Sequence, residues 1–229
     1  MPPMSPEDQP AVELPVEITA IRTQKKRKDR FSLFHQETFL IGVSGNTLAK
    51  LGIRKGTDLT PTLFSRIQQD EEREKVRDYL LRLLGRRPHA AAELNTKARQ
   101  KGFDSELISD VIDELRAKQY LDDEAFARQF ASDKLEFRQW GPVKVRSALV
   151  SKGVSAVVAK RVTAALTEDL ELKKICVDLA LKRTRHFFRE RDDYKRRKKV
   201  AAYLQRKGFD FETINRALPE IISRMKMHG

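Results

Sequence analysis

Lys101-Gly102-Phe103, Lys152-Gly153-Val154 and Lys207-Gly208-Phe209 repeat one pattern, with glycines 51 and 55 residues apart. Each glycine stands where one apolar-periodic run stops and another begins. Asp104, Ser155 and Asp210 lie just beyond it. Glycine tolerates the left-handed backbone just past a helix C-terminus, and a basic neighbour favours the carbonyl end of the helix dipole. The apolar residue after it can fold back on the last turn, and the Asp or Ser can cap the next helix. The pattern predicts a helix–turn–helix joint at Gly102, Gly153 and Gly208. Replacing Gly153 with Ala should cost about 1 kcal/mol through backbone strain.

Aligning the three glycines tests whether the surroundings repeat as well. Seven residues before each Lys stand Leu94, Val145 and Val200, and three before stand Ala98, Leu149 and Leu204. Six after each Gly stand Ile108, Ala159 and Ile214, and thirteen after stand Leu115, Leu166 and Ile221. Apolar character persists at these positions while the surface positions drift. The unit is therefore about 50 residues and three helices, repeated in tandem, which predicts an elongated, curved array.

A formal net charge of +13 in 229 residues points to a polyanionic partner, with nucleic acid foremost. No apolar run approaches transmembrane length, and residues 1–15 carry prolines and acids rather than a signal peptide, so a cytoplasmic protein without a membrane partner is expected. The single cysteine, Cys176, excludes an intramolecular disulfide framework or a thiolate cluster and reads as a buried structural thiol. No Gly-Lys-Ser/Thr phosphate loop occurs. His35, His89, His186 and His228 have no ligand spacing and read as surface residues. Acidic pairs such as Asp122-Asp123 fall at helix starts, where capping explains them. No enzyme, metal or cofactor is expected.

Residues 1–15 read as a flexible tail, followed over 16–70 by a small β-rich module with short helices. There Val16, Ile18 and Ala20 alternate as one strand, and Phe31, Leu33, Phe39, Ile41 and Val43 form a hairpin about His35-Gln36-Glu37. A short helix ends at Gly52, and Thr60-Pro61 starts another towards Asp70. Helical repeats then take residues 71–121, 122–167 and 168–229. In the third, a long helix over 172–185 is followed by a basic loop and an insertion before Val200.

Residues 79–121, with Arg87-Pro88, Glu93-Leu94, Lys101-Gly102-Phe103 and Tyr120-Leu121-Asp122-Asp123 leading into Phe126-Ala127, resemble the RecX family of recombination regulators. Gly141-Pro142, Leu149 and Lys152-Gly153-Val154 are similar to that family's next repeat. Residues 18–56, with a basic hairpin and Gly52-Ile53-Arg54-Lys55-Gly56, resemble the N-terminal extension of its longer members. In one departure, Ala90 replaces the Ser or Thr common three residues before Glu93, leaving His89 or water to satisfy the helix amides. In another, the third repeat carries the long basic insertion.

The resemblance implies a non-enzymatic regulator that binds RecA and its filament on single-stranded DNA and restrains strand exchange, ATP turnover and co-protease activity. Expected partners are RecA, its nucleoprotein filament and single-stranded DNA, with duplex DNA as a further candidate; a monomer is expected. The residues themselves leave two rivals open. One is a helical-repeat protein that binds DNA or RNA directly, although the acidic helix over 104–118 would be repelled from a groove. The other is a basic scaffold.

Three patches are candidates for nucleic-acid or filament contact. The first is the hairpin loop with Lys25, Lys26, Arg27 and Lys28. The second is the inter-helix loop with Arg138, Trp140 and Lys144. The third is the run 182–199, where Lys182, Arg185, Arg189, Arg191, Lys195, Arg196 and Arg197 outnumber Glu190, Asp192 and Asp193. Phe187-Phe188 within the run reads as core or loop staples.

Overall fold

The computed structural model describes residues 12–25, 27–168 and 170–227. Residues 1–11 of the tail expected over 1–15, Lys26 and His228 lie outside them. The chain groups into two compact units. One takes the chain as far as Arg82 together with Glu106–Val111; the other takes Leu83–Ser105 and the chain from Ile112 onward.

The first unit holds a three-stranded antiparallel meander of β2 (Ala20–Thr23), β3 (Arg30–His35) and β4 (Thr38–Ser44). A two-stranded pair joins β1 (Val16–Glu17) to β5 (Asp58–Leu59). The alternation from Val16 to Ala20 is thus not one strand. Ile18 N–H donates to the Thr57 carbonyl at 2.9 Å and Thr19 N–H to the Phe34 carbonyl at 2.8 Å, so the chain changes partner between them. Ile18, Leu33, Val43, Leu59 and Ile67 fill the core beneath.

Ser44 caps α1 (Gly45–Leu51), and the helix closes at Gly52 with φ 63°. The next helix, α2 (Pro61–Leu84), runs unbroken where the sequence suggested a stop near Asp70. The apolar period lapses there because carboxylates take the inward positions. Glu71 accepts from Ser44 N–H at 2.6 Å and pairs with Arg30 at 2.8 Å, Asp70 accepts from the Thr47 hydroxyl at 3.0 Å and pairs with Lys50, and Glu74 accepts from Asn46. No Gly or Pro interrupts the helix after Pro61.

The second unit carries the helical joints. They connect α3 (Ala91–Gln100) to α4 (Ser105–Ala117), α6 (Pro142–Ser151) to α7 (Ala156–Thr167), and α10 (Asp193–Lys207) to α11 (Phe211–Met227). The glycines have φ of 90°, 84° and 96°. Around all three the same two bonds close the helix: Gly N–H to the Arg99, Val150 or Gln205 carbonyl, and the next N–H to the Ala98, Leu149 or Leu204 carbonyl. This is the Schellman closure that a left-handed residue permits. Val154 and Phe209 are buried behind their glycines, and Ser155 and Asp210 cap the following helices. The aligned apolar positions are buried throughout, apart from half-buried Leu166.

The remaining helices are α5 (Asp123–Glu136), α8 (Leu172–Leu181) and a short α9 (Thr184–Phe188). The long helix expected over 172–185 therefore ends at Leu181. The Thr184 hydroxyl donates back to the Leu181 carbonyl at 2.8 Å, and the chain turns so that Phe187 enters the core beside Tyr203, with ring centroids 5.7 Å apart. What the sequence presented as a basic loop is largely helix, since Asp192 caps α10 and Asp193 begins it. Cys176 is buried, and its thiol is pushed up to about 12, chiefly by burial and then by Asp210.

The α3 cap corrects the sequence reading. Asp123 Oδ1, at the start of α5, accepts from Ala91 N–H at 2.8 Å, while His89 is buried with its Nδ1 2.8 Å from the Arg87 carbonyl. The start of α6 is closed in the same sense by the following repeat: Gly141 N–H donates to the Lys207 carbonyl at 2.7 Å and Val143 N–H to the Gly208 carbonyl at 3.0 Å. Glycine suits position 141 because a Cβ there would overlap the Gly208 backbone.

Burial of His89 gives a pH signature. It holds the imidazole below its usual range, only partly offset by the hydrogen bond to Arg87. The unfolded chain takes this proton near pH 6.5 and the folded chain only at lower pH, so stability falls as pH drops between the two, by at most about 1.4 kcal/mol per pH unit. The carboxylates with lowered values, Glu93 among them, lose their contribution only nearer pH 4. Urea midpoints at pH 7.5 and 5.5 should diverge for the native chain and converge for His89→Gln. Parallel shifts in the two proteins would contradict the assignment.

Candidate nucleic-acid and filament interface

Within the run 182–199 each acid has an internal partner. Glu190 pairs with Lys199 at 2.7 Å, Asp192 accepts from Lys195 N–H at 3.0 Å, and Asp193 pairs with Arg196 and, at 2.6 Å, with Lys226. Lys199 and Lys226 hold the Glu190 and Asp193 carboxyls below the ordinary range. Arg185, Arg189, Arg191, Lys195 and Arg197 are exposed, and no carboxylate among the described residues pairs with them.

Arg196 is different and corrects the prediction. It is 6% exposed, its guanidinium donates to the Glu190 carbonyl at 2.7 and 3.1 Å, and it lies over the Phe188 ring at 4.6 Å. It stands one helical turn before Val200 on the inward face of α10, so it ties down the turn before that helix. Phe187 is core, as the staple reading expects.

The second patch adjoins the first. The Lys182 ammonium donates to Gln139 Oε1 at 3.2 Å, placing the start of the basic run beside the loop with Arg138 and Trp140. Gln139 has φ 49°, which turns the chain between α5 and α6. Arg138 is exposed, Trp140 is half-buried, and the Lys144 ammonium lies 4.4 Å from the Trp140 ring centroid.

In the hairpin loop Lys25 and Lys28 are exposed, but Arg27 is committed to Asp29 at 2.8 Å and Asp78 at 3.4 Å. Asp78 is distant in the chain, so the basic run by itself does not reveal that Arg27 is committed.

A groove in the second repeat was not legible as a site. Its lining includes Phe126, Phe130, Lys134, Trp140 and Lys152, around a cavity of about 600 Å³. Nothing local in the sequence links Phe126 and Phe130 to Lys152. Lys134 and Lys152 lie 5.0 and 5.7 Å from the Phe130 ring centroid.

Comparison with known proteins supplies the family. Residues 16–60 match the regulatory protein RecX N-terminal domain, and residues 77–115, 122–162 and 173–218 match the RecX first, second and third three-helix domains. A regulatory protein RecX of Leuconostoc citreum is 31% identical over 196 residues, covering 86% of this chain and 73% of the relative.

The chain belongs to the RecX family.

A regulatory protein RecX of Clostridium botulinum is 27% identical over 207 residues, covering 90% of this chain and 96% of the relative. The crystal structure of a regulatory protein RecX shares the fold with a TM-score of 0.79 at 22% identity, over 88% of this chain and 98% of that one. RecX from Lactobacillus salivarius gives 0.60 at 20% identity, over 66% and 97%. The RecX N-terminal match covers the strands of the β-rich module, and each three-helix match contains one second-to-third helix joint. No helix among the described residues is long and apolar enough to cross a membrane.

Proposed function

We propose that this RecX-family chain binds RecA and the RecA filament on single-stranded DNA, and that it restrains recombinase, ATPase and co-protease activities by binding alone. Family membership supports the partner. The observation that carries the polyanion contact is the set of exposed cations Arg185, Arg189, Arg191, Lys195 and Arg197, left without carboxylate partners and joined to the Arg138–Trp140 loop through Lys182. Cations of this kind gain affinity by releasing condensed counterions from phosphates. A chain that grips the strand and neighbouring filament subunits together opposes the subunit movements that turnover needs.

The reading of each three-helix unit as a direct groove reader is less well supported. Helix α4 would present the exposed Glu106, Asp110 and Asp113 to phosphates. ATP turnover by RecA on single-stranded DNA should fall on adding this chain in amounts below the nucleotide concentration. Turnover unchanged when the added chain is shown to be on the filament would overturn the inhibitory reading.

A further inference from the structure

In the second-repeat groove, rings that pack against the core, Phe126, Phe130 and Trp140, keep partly open faces beside ammonium groups that the arginine cluster does not include. Three aromatic side chains, Phe126, Phe130 and Trp140, line one cavity, and Phe126 and Phe130 stack at 6.0 Å with 28° between planes. Ammonium groups are distributed over the rings: Lys134 reaches both Phe130 at 5.0 Å and Trp140 at 5.9 Å, Lys144 lies over Trp140 and Lys152 over Phe130. Lys152 and Arg87 also share Glu93, at 3.7 and 3.2 Å, and Asp133 is the exposed carboxylate on the lining, so the uncommitted positive charge is that of Lys134 and Lys144.

We propose that this groove holds an unpaired nucleobase of a single-stranded nucleic acid. The base would stack on the Trp140 and Phe130 rings, while Lys134 and Lys144 swing from the ring faces to the flanking phosphates. Alternating ring faces and cations suit single strands, because every base has a π-face and every linkage a charge. A volume of about 600 Å³ lies in the range of small-ligand sites. The Trp140 end adjoins the basic run through Gln139 and Lys182, so a strand held by the arginine cluster has a charged path to the groove. The proposal rests on the polyanion contact of the proposed function but adds recognition of bases, which phosphate binding does not require.

Trp140 is the only tryptophan in the chain, so its emission reports on the groove directly. The full chain is titrated with end-labelled oligothymidylate, with an abasic oligomer of the same length, and with a duplex. Label anisotropy gives binding and tryptophan emission gives stacking. Bound oligothymidylate should quench Trp140, while the abasic oligomer and the duplex bind with little quenching. Phe130→Ala should weaken oligothymidylate binding by roughly 5- to 150-fold, the range for loss of one stacking ring, with little effect on the abasic oligomer.

Equal quenching by the abasic oligomer would overturn the proposal, as would binding of oligothymidylate without quenching. The latter is also the result expected if a protein segment occupies the groove. Neither outcome needs a variant that folds. Preference for RecA-coated over naked strand, measured in parallel, separates the two readings. Intact preference without quenching sinks the groove alone, and quenching without preference sinks filament recognition alone.

Discussion

Gly141→Ala is expected to cost about 3 kcal/mol or more, at or above the upper end for overpacked sites, because the added carbon would overlap the Gly208 backbone rather than a side chain that can move aside. Gly141 has φ −75°, which any residue adopts, so the loss is steric. Gly102→Ala is the matched control. Its φ is 90° and no atom stands within 4 Å of the added carbon, which leaves only backbone strain of about 1 kcal/mol. At Gly153 and Gly208 both effects combine, because a Cβ would overlap Ala92 or crowd Lys144, whose backbone nitrogen would lie 2.6 Å from a Cβ at 208. The cost expected from sequence for Gly153→Ala, about 1 kcal/mol, is therefore too low. Urea midpoints of the Gly102 and Gly141 variants decide it, and equal shifts would show that the contact between the second and third repeats relaxes without cost.

Reversing Arg189, Lys195 and Arg197 together to Glu is expected to abolish measurable binding to naked single-stranded DNA near physiological salt. Each phosphate contact contributes about 0.7 to the slope of log affinity against log salt on single strands, so losing three removes about 2 from that slope. The thermal midpoint should change little, because these side chains are exposed and unpaired. Arg196→Ala should behave in the opposite way. It removes the donor of the Glu190 and Arg191 carbonyls, Asp193 keeping Lys226, and should cost about 1–3 kcal/mol of stability while the salt slope of the folded protein is kept. Binding isotherms at several salt concentrations and a denaturation curve for each variant make the comparison. An unchanged slope in the triple variant would move the phosphate contact elsewhere.

The fold was legible where local chemistry is self-contained. A glycine with a basic neighbour before it and a cap after it specifies a helix joint within a few residues, and three copies exposed the repeat. What escaped depends on partners remote in sequence. The α2 carboxylates look like a solvated face until Arg30, Ser44 and Thr47 are brought against them. The incomplete cap at Ala90 is completed by Asp123, 32 residues on. Arg27 is tied by Asp78.

For the site, composition found the basic run but not which members face water. The signal for Arg196 was present. Asp192 starts α10, and Arg196 then precedes Val200 by four residues on the buried stripe. The groove gave no such signal, since its rings and lysines come from α5, α6, the loop between them and the turn after α6, and no local pattern joins them.

The proposed function requires recognition of a filament rather than of DNA as such. Labelled chain is offered RecA-coated single-stranded DNA in competition with the same naked strand at matched salt. Binding to the coated strand should be clearly tighter, with the preference persisting as salt is raised and naked-strand binding fades. Binding to the coated strand no tighter than to the naked one would contradict the proposed function.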